Sequence, residues 1–149
     1  MFLFLGNVIE QASQAQALAI VRQLPHLIEF ITSNMVFENY GEETTCQEDI
    51  NTLQKVGCQV IAKFVRRWKA DGGDQEMREE VARQVSRYRL VEVIAQMWWN
   101  REIRDRECKP YLKYEFTLLL NDLIQLDAPK SDGISSQLLN SVELQLLLR

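Results

Sequence analysis

The residues of this chain that could do chemistry are few. There is one histidine, His26, and there are three cysteines, Cys46, Cys58 and Cys108. A zinc site needs Cys or His ligands at short spacing. No Cys-x-x-Cys pair and no second histidine accompanies His26, which sits after Pro25 at a helix start and reads as structural. No Gly-x-Ser-x-Gly or comparable context surrounds a serine or cysteine, so no nucleophile and base can be paired. Gly72-Gly73 lacks the lysine and spacing of a phosphate loop and reads as a helix stop. Glu42-Glu43 and Glu79-Glu80 are adjacent acids, but adjacency along a chain does not create an acid–base couple. The expectation is a protein that is not an enzyme and holds no metal or cofactor.

What remains is the chemistry of binding. Lys63, Arg66 and Arg67 stand at helical spacing, with Lys69 just beyond. Arg83, Arg87 and Arg89 come near them if the next segment folds back antiparallel across Gly72-Gly73. Converging, these cations would form a positive patch for an acidic peptide or protein partner. The competing reading pairs them with the chain's own Glu42, Glu43, Glu48 and Asp49. Trp98 and Trp99 are adjacent, so on a helix they point about 100° apart. One of them is a candidate interface anchor, because large aromatic side chains carry much interface energy. The alternative packs both inside.

Charge narrows the partner. Residues 1–50 carry seven acids against one base, net −6; residues 51–113 carry fourteen bases against nine acids, net +5; the remainder is net −3. Such a layout suits self-complementarity as well as an acidic partner. A pI near 5.1 with acids among the bases argues against nucleic acid. No stretch approaches the roughly 20 apolar residues that span a bilayer. An odd cysteine count without a signal-peptide pattern fits a reducing intracellular compartment, cytoplasm or nucleus.

These residues need helices to position them. With 149 residues the chain suits one domain, and three Pro and six Gly leave few breakers. Apolar residues from Ile50 to Val65 recur at three-and-four spacing, which predicts a central helix over Asp49–Trp68, with Gln54, Lys55, Gln59, Lys63, Arg66 and Arg67 on its wet side. Thr45 and Glu48 have the spacing of a capping box for it. Ser13 is a candidate cap for an earlier helix, Pro25 should split that helix, and a turn is expected near Ser86–Arg89. Pro110 suits the first turn of a helix that is apolar almost all round, from Tyr111 to Leu126, and so is expected to be the most buried. The charged run from Asn100 to Lys109 reads as a solvated connector. A last helix starts at Ser135. Both ends are apolar, Met1–Ile9 and Leu138–Leu148, which predicts self-association through the termini or a chain cut from a larger protein.

An internal repeat is visible. Leu27-Ile28-Glu29-Phe30-Ile31 matches Leu90-Val91-Glu92-Val93-Ile94 in type, residue for residue. Val60-Ile61 and Phe64-Val65 match Leu119-Leu120 and Leu123-Ile124 in the same way, at a slightly shorter shift along the chain. Units that cannot bury their apolar faces alone stack into solenoids. Leu5-Gly6-Asn7 followed by Leu24-Pro25-His26-Leu27-Ile28-Glu29-Phe30-Ile31 resembles armadillo-repeat sequence, over residues 1–31 above all; HEAT-type repeats are equally compatible. The resemblance implies a helical-repeat fold that binds partners, with Asn side chains holding an extended peptide. It puts Asn121 at the later Asn position, and Ala62 interrupts the ladder.

The expected fold is therefore all-α, a helical-repeat-like array or a compact bundle of five to seven helices. The expected role is a protein-interaction scaffold or adaptor, with Lys63, Arg66, Arg67, Arg83, Arg87, Trp98, Trp99 and Asn121 as candidate partner-binding residues. The alternatives are a closed bundle that takes a partner helix in a groove and a helical nucleic-acid-binding domain. The first is similar to the death-regulator bundles, but their Asn-Trp-Gly-Arg signature is absent.

Overall fold

The computed structural model describes residues 2–35, 47–67, 75–104, 108–126, 141 and 145. The protein is all-α, and no strand occurs among the described residues. The helices are α1 (Phe2–Gln11), α2 (Gln14–Gln23), α3 (Leu27–Met35), α4 (Gln47–Arg67), α5 (Gln75–Arg87), α6 (Leu90–Trp99) and α7 (Pro110–Leu126). A π-helical segment, Asn100–Arg104, continues α6. No described helix is long and apolar enough to cross a membrane.

Local chemistry explains each break. Ser13 caps α2: its hydroxyl accepts from the Gln16 N–H at 3.2 Å, and the Gln16 side chain returns a bond to the Ser13 N–H at 2.9 Å. Pro25 has no N–H to continue α2, and α3 opens two residues later. The equivalent break between α5 and α6 has no proline. Arg89 makes the turn there in the left-handed region, at φ 51°. Pro110 opens α7, where a missing N–H is harmless. The Thr45 cap, the Gly72-Gly73 stop, Lys69 and most of the helix expected from Ser135 lie outside the described residues. Of that helix, Ser141 is buried and its carbonyl accepts from the Gln145 N–H at 3.1 Å.

Helix α4 is the axis. It packs along α1 on one side, α7 on the other and α3 beneath, while α2 lies on α5 and α6 on α7. The core runs through Ile31, Ile61, Phe64, Met77, Ile94, Phe116 and Leu119, all fully or almost fully buried. Enclosure on three sides overturns part of the expected wet face of α4. Gln54 is buried and donates to the Met35 carbonyl at 3.3 Å. Asn51 is buried too, and accepts from Arg101. The charged run after α6 is not solvated at its start, although Lys109 at its far end is exposed and 105–107 lie outside the described residues. Arg101 enters the interior, and Glu102 receives the Lys113 ammonium at 2.7 Å. Helix α7, expected to be the most buried, leaves Tyr111, Tyr114 and Ile124 exposed, because α4 covers only one of its sides.

Two close contacts repeat across the structure. Met35 of α3 lies against Gly57 of α4, so closely that a Cβ on Gly57 would stand 2.3 Å from its sulfur. Trp98 of α6 lies against Phe116 of α7 with ring centroids 6.2 Å apart. The shift that carries Leu27 onto Leu90 carries Met35 onto Trp98, and the shift that carries Val60 onto Leu119 carries Gly57 onto Phe116. Where α3 and α4 set a small residue beneath methionine, α6 and α7 set a large one beneath tryptophan. Alanine in a helix interior ordinarily gains about 1 kcal/mol over glycine. At Gly57 it must displace Met35, which is fully buried, and overpacking costs about 1–3 kcal/mol. Gly57→Ala is therefore expected to destabilise by up to about 2 kcal/mol net. A gain in stability on urea denaturation would mean that α3 and α4 stand further apart than this.

Candidate interaction surface

Helices α1, α4 and α7 lie side by side, and polar links cross each seam. The Lys63 ammonium of α4 pairs with Glu10 of α1 at 3.2 Å. Arg66 of α4 pairs with Asp122 of α7 at 2.6 Å. The Gln59 side chain donates to Glu115 at 2.8 Å, and Arg67 donates to the Ala12 carbonyl just beyond α1. Asp122 follows Lys63 by the spacing that separates Leu119 from Val60, and each is tied to another helix of the row, with the charges exchanged.

The cations singled out in the sequence therefore sit in structural links. Lys63, Arg66 and Arg67 do lie together on α4, but their partners are Glu10, Asp122 and a backbone carbonyl of the chain itself. Asp49 is exposed, while the Glu42, Glu43 and Glu48 side chains lie outside the description. Arg83 is bound to Glu80 on its own helix, its Nε at 3.1 Å, and Arg87 lies over the Tyr88 ring at 5.6 Å. Their neighbours belong to the α2–α5 seam. There, burial would raise the Glu80 carboxyl. Hydrogen bonds from Arg83 and Gln84 and the charges of Arg83 and Arg22 outweigh it and hold that group below its ordinary value.

Trp98 and Trp99 are both half-buried, and Trp98 is fixed on Phe116. Asn121 is exposed on α7 and Asn7 on α1, whereas Ala62 between them is buried. Burial pushes the Cys58 thiol up. It does the same to Cys108, to about 11, with Glu102 adding to it. Among the described residues no cluster of His, Cys, Asp and Glu could hold a metal.

The open face of the row is made by residues at helical spacing: Leu3 and Asn7 on α1, Lys55 and Gln59 on α4, and Tyr111 and Tyr114 on α7. Leu3, Asn7, Tyr111 and Tyr114 are exposed, and Lys55 lies over the Tyr111 ring at 5.6 Å. Sequence reasoning passed over this pair. It also missed Gln84, whose buried amide donates to the Val21 carbonyl at 2.9 Å, and Tyr88, whose hydroxyl donates to the Pro25 carbonyl at 3.2 Å. A signal was present, since both contacts span 63 residues, the shift that relates Leu27–Ile31 to Leu90–Ile94. Comparison with models of protein families, with curated proteins and with solved structures finds no match to this chain.

Proposed function

We propose that the chain is a helical-repeat scaffold, of armadillo or HEAT type, that holds a segment of a partner protein along the open face of α1, α4 and α7. The observation that carries this reading is that residues touch their own equivalents one unit earlier: Gln84 bonds Val21 and Tyr88 bonds Pro25, each across 63 residues. Contacts at the repeat spacing are the mark of units stacked by translation, and a closed bundle does not require them. Stacked units leave one long face open, and here it carries groups that suit an extended peptide. Asn7 and Asn121 each offer a donor and an acceptor to a backbone. Tyr111 and Tyr114 offer flat apolar area with a polar tip. Lys55, which pairs with no carboxylate among the described residues, is the cation available to an acidic residue of the ligand. Cys58 and Cys108 are free thiols, which supports a reducing compartment.

A displayed library of random peptides, read out by a photo-crosslinking side chain, tests this. With the crosslinker at Tyr114 or Asn7, enriched peptides should be captured. With it at Glu79, exposed on α5, they should not be. Capture at Glu79 alone, or enriched peptides that compete with none of these positions, would remove the reading.

A further inference from the structure

The row α1–α4–α7 has, among the described residues, an exposed outer side at each end. On α4, Gln59 and Arg66 bond α7 directly; beside them at helical spacing stands Ala62, flanked on its inner side by Cys58 and Val65. Cys58, Ala62 and Val65 are all buried. The repeat shift that carries Val60 onto Leu119 carries them onto Thr117, Asn121 and Ile124 of α7. There all three are exposed, Ile124 to 49%. Among the described residues, α7 thus leaves exposed the positions whose equivalents on α4 are buried. That agrees with its sequence, which is apolar almost all round, the pattern of a helix enclosed on every side.

At the other end, α1 turns Gly6 and Glu10 toward α4. At about 100° per residue, Phe4 and Val8 point the opposite way. Phe4 is 70% exposed and Val8 half-buried. Neither Phe4 and Val8 nor Thr117, Asn121 and Ile124 carry a charge, so no like-charge repulsion opposes their meeting.

We propose that this protein assembles head to tail with further copies of itself, the outer side of α7 in one copy taking the outer side of α1 in the next. The new seam continues the row, with α1 of the second copy following α7 as α7 follows α4. The helices of the row run parallel, so Phe4 meets Ile124 with Asn121 one turn before it on α7. Such a contact joins two different surfaces, so it does not close at two copies and leaves a free end after each addition. This inference stands on the seam geometry and is independent of what the open face binds.

Sedimentation velocity on the full chain tests it, with Phe4→Asp and Ile124→Asp as variants. Both positions are exposed, and circular dichroism and thermal unfolding should show each variant folded like the parent. The parent's average mass should climb with concentration from micromolar to millimolar without a plateau at two copies. Each variant alone should remain monomeric, since it lacks one of the two surfaces. An equimolar mixture should form dimers and nothing larger, because only one sound surface of each kind remains. A parent that stays monomeric throughout overturns the proposal. A Phe4→Asp protein that still dimerises by itself overturns it too, by showing α7 meeting α7, and so does a mixture that remains monomeric.

Discussion

Replacing Phe64 by alanine is expected to lower the unfolding free energy by about 3–5 kcal/mol, the usual loss for a fully buried phenylalanine. Phe64 is 2% exposed on the one helix that touches α1, α3 and α7 together. Its side chain belongs to the common apolar core, so truncation leaves a cavity there. Leu123 of α7 is also fully buried and should show a smaller loss, about 2–5 kcal/mol, on truncation to alanine. Chemical denaturation checks both. A change at Phe64 below about 1 kcal/mol would put that side chain at the surface and α4 at the edge of the molecule.

The second large effect is electrostatic. Asp122 is buried at 8% exposure, with the Arg66 guanidinium 2.6 Å away. The arginine side chain is half exposed, so solvent screens the pair and the figure for a wholly buried bridge must be reduced. Arg66→Glu with Arg67→Glu sets a second carboxylate against Asp122 and removes the bond from Arg67 to Ala12. The double variant is expected to lose about 2–3 kcal/mol. Exchanging the charges, Arg66→Glu with Asp122→Arg on an otherwise unaltered chain, should recover most of the loss due to position 66. An undiminished melting temperature in the double variant would make these arginines surface groups, and the basic patch would again be open to a partner. Rescue by exchange identifies a specific link rather than general damage.

The helix boundaries are legible in the sequence because each has a short-range cause. Ser13 with Gln16, Pro25 and Pro110 act within one turn of chain, and the structure puts breaks at all three. The apolar sets at Leu27–Ile31 and Val60–Val65 match Leu90–Ile94 and Leu119–Ile124 in type, and two contacts, Gln84 to Val21 and Tyr88 to Pro25, span the first of these two spacings. What could not be read was set by neighbours remote in sequence. Gln54 and Asn51 have every attribute of a wet helix face, and their burial follows from α3 and from Arg101, which lie 19 and 50 residues away along the chain. Lys63 and Arg66 look like a patch until Glu10 and Asp122 arrive from other helices. Ile124 has the pattern of a core residue, and only the arrangement of the row shows it open.

The position of α4 also bears on how the molecule comes apart. The polar links across the row join adjacent helices only: Glu10 to Lys63, then Gln59 to Glu115 and Arg66 to Asp122. Detaching α1 therefore breaks the first seam and leaves the second intact, whereas no opening frees α4 without breaking both. Amide hydrogens should record this as a gradient. Those of α1 should exchange through local fraying and those of α7 more slowly. The middle turns of α4, around Ile61 and Phe64, should exchange only when the whole chain unfolds. An end helix can then be lost or remade while the middle of the row holds its shape.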